Sequence, residues 1–110
     1  MRTVIGIHPA KTGRRAVDDA NGPTPTVWFD SWRQLAGLLS DENRALLRLM
    51  RERQPRTMLE LAEWSGRAAS NLSRTLRHLE RHGLVKMHRS PDTRAVRPEA
   101  LATEFLVVLD

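Results

Sequence analysis

The stretch from Thr57 to Arg97 constrains the fold of this 110-residue chain more than any other. Thr57 and Glu60 have the spacing of a capping box, which opens a helix, and Gly66 then provides a turn because glycine tolerates a positive φ. Apolar residues next recur at spacings of three, four and three, at Ala69, Leu72, Leu76 and Leu79. This stripe predicts a second helix with one core-facing side, joined to the first by a tight turn.

The residues after the second helix predict a β-hairpin. Gly83 has the position of a left-handed helix cap, and residues 84–88 begin a strand of alternating character. Pro91 lies in a Ser-Pro-Asp-Thr turn, after which residues 94–97 return as the second strand. Two helices around a tight turn, followed by a hairpin, are the linear signature of a winged helix-turn-helix. Double-stranded DNA is therefore the first partner to test.

Two further helices precede this stretch. Ser31 and Ser40 are predicted caps, and the helices after them are expected at about residues 32–39 and 41–53. Each helix should turn one apolar face to the core. These faces are Trp32, Leu35, Ala36 and Leu39 in the first helix, and Ala45, Leu46, Leu49 and Met50 in the second.

β-prone segments lie near both ends of the chain. Residues 2–7 and 26–29 have β-propensity, whereas residues 8–25 contain three Pro and two Gly, which predicts a loop or mobile arm. Residues 102–109 are strongly apolar, and their five successive apolar residues at 105–109 indicate a strand buried on both faces. The terminal strands should either extend the domain's own core or bury a dimer interface. We favour a homodimer, because two-fold symmetry multiplies the small footprint of one helix.

The expected fold class is mainly α with a small β component (α+β), a winged helix-turn-helix with additional N- and C-terminal β segments. Residues 1–30 form an N-terminal strand, mobile arm and short strand, residues 31–98 the DNA-binding domain, and residues 99–110 a C-terminal strand for dimerisation or partner binding. No apolar run approaches the ~20 residues of a membrane span, and the start of the chain does not read as a secretory signal. A cytoplasmic location without membrane contact is the default expectation.

Positive charge is concentrated in the stretch suspected of binding DNA. Residues 44–97 hold 13 of the 18 Lys and Arg residues but only 5 of the 13 Asp and Glu residues. Twelve of those 13 bases are Arg, whose planar guanidinium can contact a phosphate or a guanine through two hydrogen bonds. A polyanion-binding module needs this distribution, although a basic surface that only faces water would also show it.

The second helix of the turn carries a polar stripe opposite its apolar one. The stripe consists of Arg67, Asn71, Arg74, His78 and Arg81, with Ser70 and Arg77 flanking it. The residues expected to reach base edges are Arg67, Ser70, Asn71 and Arg74. The residues expected at phosphates or an adjacent minor groove are Arg77, Arg81, Arg89 and Arg94, with His88 beside them. The alternatives are an exposed polar face of a helical bundle and a structural hairpin whose charges face water.

The sequence contains no pattern of comparable strength for a catalytic site or a metal site. His78 and His82 have a metal-compatible spacing without an evident third ligand, so contact with solvent or phosphate is the favoured interpretation. The Ser, His and carboxylate residues form no local arrangement that activates a nucleophile, and the absence of cysteine excludes disulfides and thiolate zinc sites. Trp28, Trp32 and Trp64 are expected to anchor the core or an interface. We therefore expect no enzyme activity, no catalytic residue, no metal and no cofactor.

The segment LAEWSGRAASNLSRTLRHLERHGLV and the Asp92-Thr93-Arg94 tip carry a family resemblance. Residues 28–97 resemble the small prokaryotic MarR-like winged-helix regulators, especially antitoxin-type regulators encoded beside a toxin. By that likeness, the helix after the turn enters the major groove, and Arg94 inserts into a groove at the wing. The chain lacks the long flanking dimerisation helices of MarR proteins, so their ligand pocket is not expected here.

The antitoxin-type resemblance implies autoregulation of an operon, binding of a cognate toxin protein and dimerisation through the extra β segments. The expected function is therefore a sequence-specific DNA-binding repressor that serves as the antitoxin of a toxin-antitoxin operon. Two alternatives stay open. One is a free-standing repressor without a toxin, and the other is a winged-helix protein-interaction module that does not bind DNA.

Overall fold

The computed structural model describes residues 2–7, 25–92 and 95–108 of the chain. Four helices and two small sheets occur in these residues, which confirms the predicted α+β class. In chain order the elements are β1 (Arg2–Ile7), β2 (Val27–Phe29), α1 (Trp32–Leu38), α2 (Asp41–Arg53), α3 (Met58–Ser65), α4 (Ala69–Arg81), β3 (Val85–Arg89), β4 (Val96–Ala100) and β5 (Glu104–Val108). The succession of α3, a tight turn, α4 and the β3–β4 hairpin is the predicted winged helix-turn-helix.

Three N-terminal caps fix where α1, α2 and α3 begin. The side-chain oxygens of Ser31, Ser40 and Thr57 accept hydrogen bonds from backbone N–H groups three residues further on, at 3.1, 3.2 and 3.0 Å. Each bond satisfies an N–H that the first helical turn leaves without a partner, a contribution of about 1 kcal/mol. Gly66 and Gly83 end α3 and α4 in the left-handed conformation, with φ of 73° and 78°. Both glycines therefore have the role that the sequence predicts.

β1 is the central strand of a three-stranded sheet, with β2 and β5 parallel to it on either side. Ile5 aligns with Val27 of β2 and with Val107 of β5, so the two ends of the chain meet in one sheet. Ile5 and Phe29 are fully buried in the core that the helices form. The sheet thus extends the domain's own core, which is one of the two uses predicted for the terminal strands.

One core joins the sheet, the helices and the hairpin. α4 contributes Leu72, Leu76 and Leu79, which are completely buried as predicted. Burial of each such side chain stabilises the fold by about 1.5–3 kcal/mol, so these three hold α4 firmly against the domain. The other buried apolar residues of this core are Ile5, Phe29, Leu35, Leu38, Leu46, Leu47, Met50, Leu61, Leu84, Val85 and Ala100.

The predicted core face of α1 is partly wrong. Leu35 is buried as expected, but Trp32 is 53% exposed and Ala36 is also exposed. Leu38, which was not predicted, is buried in their place, and Leu39 is only half-buried. The helix has seven residues, so Trp32 lies at its first turn, beyond the edge of the core, and the last turn makes the inward contact.

The predicted face of α2 is rotated in the same way. Ala45 is exposed and Leu49 half-buried, whereas Leu47 is fully buried. The buried positions follow the helical spacing i, i+3, i+4 and i+7: Asn43, Leu46, Leu47 and Met50. The first buried residue of this stripe is the polar Asn43, and a prediction based on hydropathy does not assign a polar residue to the core. In α4, Ala69 is exposed because it is the first helical residue.

Several predictions fall outside the residues that the structure describes. They include most of the arm, at residues 8–24, and the wing-tip residues Thr93 and Arg94. Leu109, the last apolar residue of the C-terminal run, also lies outside them. Among the described helices, none has the length and apolar character needed to cross a membrane.

Candidate nucleic-acid interface

The outward face of α4 carries a row of basic and hydroxyl side chains. Leu72, Leu76 and Leu79 mark the buried side, and a helix turns by about 100° per residue, which identifies the residues directly opposite. These residues, all exposed, are Ser70, Arg74, Arg77 and Arg81. The outward row therefore presents three guanidinium groups and one hydroxyl, which are donors that suit guanine edges and phosphates.

The observed row is shifted around the helix relative to the predicted stripe. Ser70 and Arg77, predicted as flanking residues, belong to the row, while Asn71 and His78 lie on the flank toward α1 and α2. Arg77 also donates from Nε to the Ser73 carbonyl at 3.3 Å, which holds the guanidinium along the helix. The structure brings every predicted α4 residue to the exposed surface, but not in one straight line.

Arg67 lies in the turn before α4 and is bound to the protein itself. Its Nε donates to Asn71 Oδ1 at 2.9 Å, its Nη1 to Asn43 Oδ1 at 3.0 Å, and its Nη2 to Thr75 Oγ1 at 3.0 Å. All three guanidinium nitrogens are thus engaged, and the side chain is half-buried. Contact between Arg67 and a base stays a prediction, and it would require these bonds to be exchanged.

Asn43 connects Arg67 to the preceding helices. Its side chain is only 8% exposed, and its Nδ2 donates to the Leu38 carbonyl at 2.9 Å at the end of α1. Its backbone N–H donates to the Ser40 hydroxyl. Since Asn43 Oδ1 accepts from Arg67, a continuous chain of hydrogen bonds runs from α1 through α2 to α4. Sequence reasoning missed this residue, because an Asn in a first helical turn usually faces water.

The exposed face of the wing contains an ion pair. His88 Nε2 lies 2.7 Å from Glu99 Oε1 across the β3–β4 ladder. The hydrogen bond from His88 holds the pKa of the Glu99 carboxyl below its ordinary value, and the positive charges of His88, Arg97 and Lys86 act in the same direction. Arg97 is the direct cross-strand neighbour of His88, so one carboxylate lies among three basic side chains.

A basic cleft lies where the outer part of the wing meets the loop before α3. Arg56, from the loop before α3, meets Arg89 and Arg97 of the hairpin there, together with His88. In the part of the chain that the structure describes, no carboxylate lines this cleft. Arg89 was predicted, whereas Arg56 and Arg97 were counted only as part of the basic segment. Their convergence depends on how the hairpin packs, and spacing along the chain does not encode it.

Trp28, Trp64 and His82 each contact a neighbouring residue of the domain. The Arg53 guanidinium lies 4.1 Å from the centre of the Trp64 ring, a cation–π arrangement. Trp28 covers Gly6, where an added Cβ would lie 2.7 Å from the indole ring. The His82 ring stacks on Phe29, with centres 4.6 Å apart. Within the described residues, no group of three His, Asp or Glu side chains is arranged to hold a metal.

The model of the HVO_A0114 family matches residues 38–106, which is more than half of the chain. The matched region includes α2, α3, α4, the wing and the start of β5. No curated protein matches the chain.

We expect Asn43→Ala to destabilise the fold by about 1–3 kcal/mol, because it leaves Arg67 Nη1 and the Leu38 carbonyl without their partners in a buried position. The free energy of unfolding in urea measures this effect. Asn71→Ala is the matched control, since it removes another partner of the same guanidinium from an exposed position where water can replace it. Equal losses for the two variants would contradict the buried role of Asn43.

We expect the Glu99 carboxyl to titrate below its ordinary pKa of 4.5 in an NMR titration of the side-chain carbon. Because the folded pKa is lowered, the bond to His88 stabilises the wing above the ordinary pKa and is lost as the pH falls through the folded value. In His88→Ala the midpoint should rise toward 4.5, since the first cause of the shift is removed. A midpoint that stays unchanged in this variant would show that His88 is not the cause.

Proposed function

The chain belongs to the HVO_A0114 family, and we propose that it is a cytoplasmic, sequence-specific DNA-binding repressor built on a winged helix-turn-helix. The observation that carries this proposal is the outward row of α4, in which Ser70, Arg74, Arg77 and Arg81 are all exposed. A helix with side chains is about 10–12 Å across, and the major groove of B-DNA is about 12 Å wide. α4 therefore has the size to enter a major groove with this row facing the bases.

The proposed reading of bases uses the first half of α4. Ser70 and Arg74 would contact base edges, Arg74 through two hydrogen bonds to a guanine. Asn71 Oδ1 already accepts from Arg67, so the Asn71 amide offers its N–H groups to DNA, which suits base or phosphate acceptors. Arg77 and Arg81, farther along the helix, would contact phosphates.

The wing would hold the DNA backbone beside α4. The wing cleft brings together Arg56, Arg89 and Arg97, and none of its lining residues in the described part of the chain is an Asp or a Glu. This lining supports binding of a phosphate. The predicted insertion of Arg94 into a neighbouring groove fits the same placement, although Arg94 lies outside the described residues. These contacts carry no sequence information and would add affinity that falls steeply with salt.

We also propose that the repressor is a homodimer formed through the three-stranded sheet. Ile5, Phe105 and Val107 pack toward the core, so strand alternation places Val4 and Leu106 on the opposite face. Both are apolar and only partly buried. Parallel sheets are usually covered on both faces, so a second copy on this face would complete the arrangement.

The resemblance to antitoxin-type regulators extends the proposal to a toxin-antitoxin operon that the protein autoregulates. A cognate toxin protein would need an apolar docking surface, and the outer face of the same sheet supports that role. A free-standing repressor would use the face for dimer contacts only. Purification of the protein expressed from its native operon separates these cases, since only the antitoxin would carry a stoichiometric partner.

We expect Arg74→Ala to reduce the preference for the protein's own promoter over a scrambled duplex by about 1–3 kcal/mol, or about 5- to 150-fold, because one bidentate base contact is lost. Fluorescence anisotropy with labelled duplexes measures both affinities. Arg48→Ala is the matched control, as Arg48 is an exposed arginine of α2 outside the row. Promoter preference that survives the combined replacement of Arg67 and Arg74 by Ala would exclude α4 as the reader. Absence of any DNA binding would favour a protein-interaction module instead.

We expect Leu106→Glu to convert a dimer into a monomer, because it places a charge on the apolar outer face of the sheet. Light scattering coupled to gel filtration measures the mass, and circular dichroism checks that the variant is folded. Leu59→Glu is the matched control, since Leu59 on α3 is 70% exposed and lies outside the sheet. A folded Leu106→Glu variant that stays dimeric would place the interface elsewhere.

A further inference from the structure

A second basic groove lies between α1 and α4. Its lining consists of Arg33, Gln34, Gly37 and Leu38 of α1, Asn43 of α2, Thr75, His78 and Arg81 of α4, and His82 directly after α4. Arg33 and Arg81 are exposed, and no carboxylate lines the groove in the described part of the chain. We call this feature the α1 groove.

The α1 groove and the wing lie on different sides of α4. Glu80 marks the wing side, because its Oε2 accepts a hydrogen bond from the Met87 backbone N–H of β3 at 3.3 Å. His82 marks the other side, since its ring stacks on Phe29 of β2. His78 and His82 each lie two residues from Glu80, and two residues correspond to about 200° around a helix. Their side chains therefore point away from the wing, into the α1 groove.

The charges of the α1 groove are available for a ligand. Neither Arg33 nor Arg81 forms an ion pair within the residues that the structure describes. The guanidinium groups supply planar sets of donors that match phosphate oxygens, and the imidazole of His78 adds a nitrogen at the same edge. An anion with several oxygens, such as a phosphate group, has the chemistry that fits this lining.

We infer that the α1 groove binds a backbone phosphate of the DNA strand opposite to the strand that meets the wing. This inference rests on the proposed function. A helix inserted in a major groove nearly fills its width, so its two flanks face the two phosphate backbones that border the groove. The wing cleft with Arg56, Arg89 and Arg97 covers one backbone, and Arg33 with Arg81 covers the other. α1 thus becomes part of the DNA-binding surface.

A phosphate contact has a signature that distinguishes it from base reading. Loss of such a contact weakens binding to every duplex by the same factor, because phosphates carry no sequence information. Each lost contact also reduces the slope of the logarithm of the binding constant against the logarithm of salt concentration by about 0.9. A residue with only a structural role in the fold would change neither quantity in this way.

The test compares Arg33→Ala with Arg48→Ala on the promoter duplex and on a scrambled duplex over a series of NaCl concentrations. We expect Arg33→Ala to weaken both duplexes equally, by several-fold at low salt, and to lower the salt slope by about 0.9. Arg48→Ala removes the same charge from an exposed position of α2 and should leave the slope unchanged. Arg33→Lys should retain most of the slope because the charge is kept.

Two outcomes would overturn the inference. The first is a salt slope that is the same for Arg33→Ala and Arg48→Ala, and the second is a loss of affinity confined to the promoter duplex. Failure of the proposed function is separate, because it would appear in the wild-type protein as an absence of binding to either duplex.

Discussion

The three hydrogen bonds of the Arg67 guanidinium set the position of α4 on the rest of the domain. The buried leucines of α4 hold the helix to the core and determine which of its faces points outward. Arg67 adds direction, since it joins Asn43 of α2 to Asn71 and Thr75 of α4 at fixed distances. The hydrogen bonds of Arg67 and the buried leucine stripe place α4 in the same orientation, so the outward row of basic side chains faces away from the protein.

Local signals in the sequence were sufficient to predict the helices, strands and turns, but not the contacts between them. The caps at Ser31 and Thr57 and the turn at Gly66 act within a few residues, so their positions could be predicted. The buried role of Asn43 and the engagement of Arg67 depend on a partner 24 residues away in the chain, which no spacing rule contains. The sequence predicted which residues of the interface are exposed. It could not predict the wing cleft and the α1 groove, because both form only when separate elements pack together.

The distribution of charge over the folded surface explains why several short elements cooperate. The outward row of α4 lies between a wing cleft that includes Arg56 and an α1 groove that includes Arg33. Arg33 lies outside the segment where the basic residues are concentrated in the sequence, and folding brings it beside Arg81. Glu99, paired with His88, lowers the positive charge of the wing face. Basic side chains therefore lie along α4 and in the clefts on its two flanks, where one helix can meet both backbones of a major groove.

The family match and the sheet divide the molecule into two parts with different roles in the proposed function. The match begins at residue 38 and contains α2, α3, α4 and the wing, which carry every proposed base contact. β1 and β2 lie before it, and β1 is the strand that holds β2 and β5 together. Without β1, the apolar residues of β5 would have no neighbouring strand. The surface proposed for a second copy or a toxin therefore combines Val4 of β1, which lies outside the family match, with Leu106 of β5, which lies inside it.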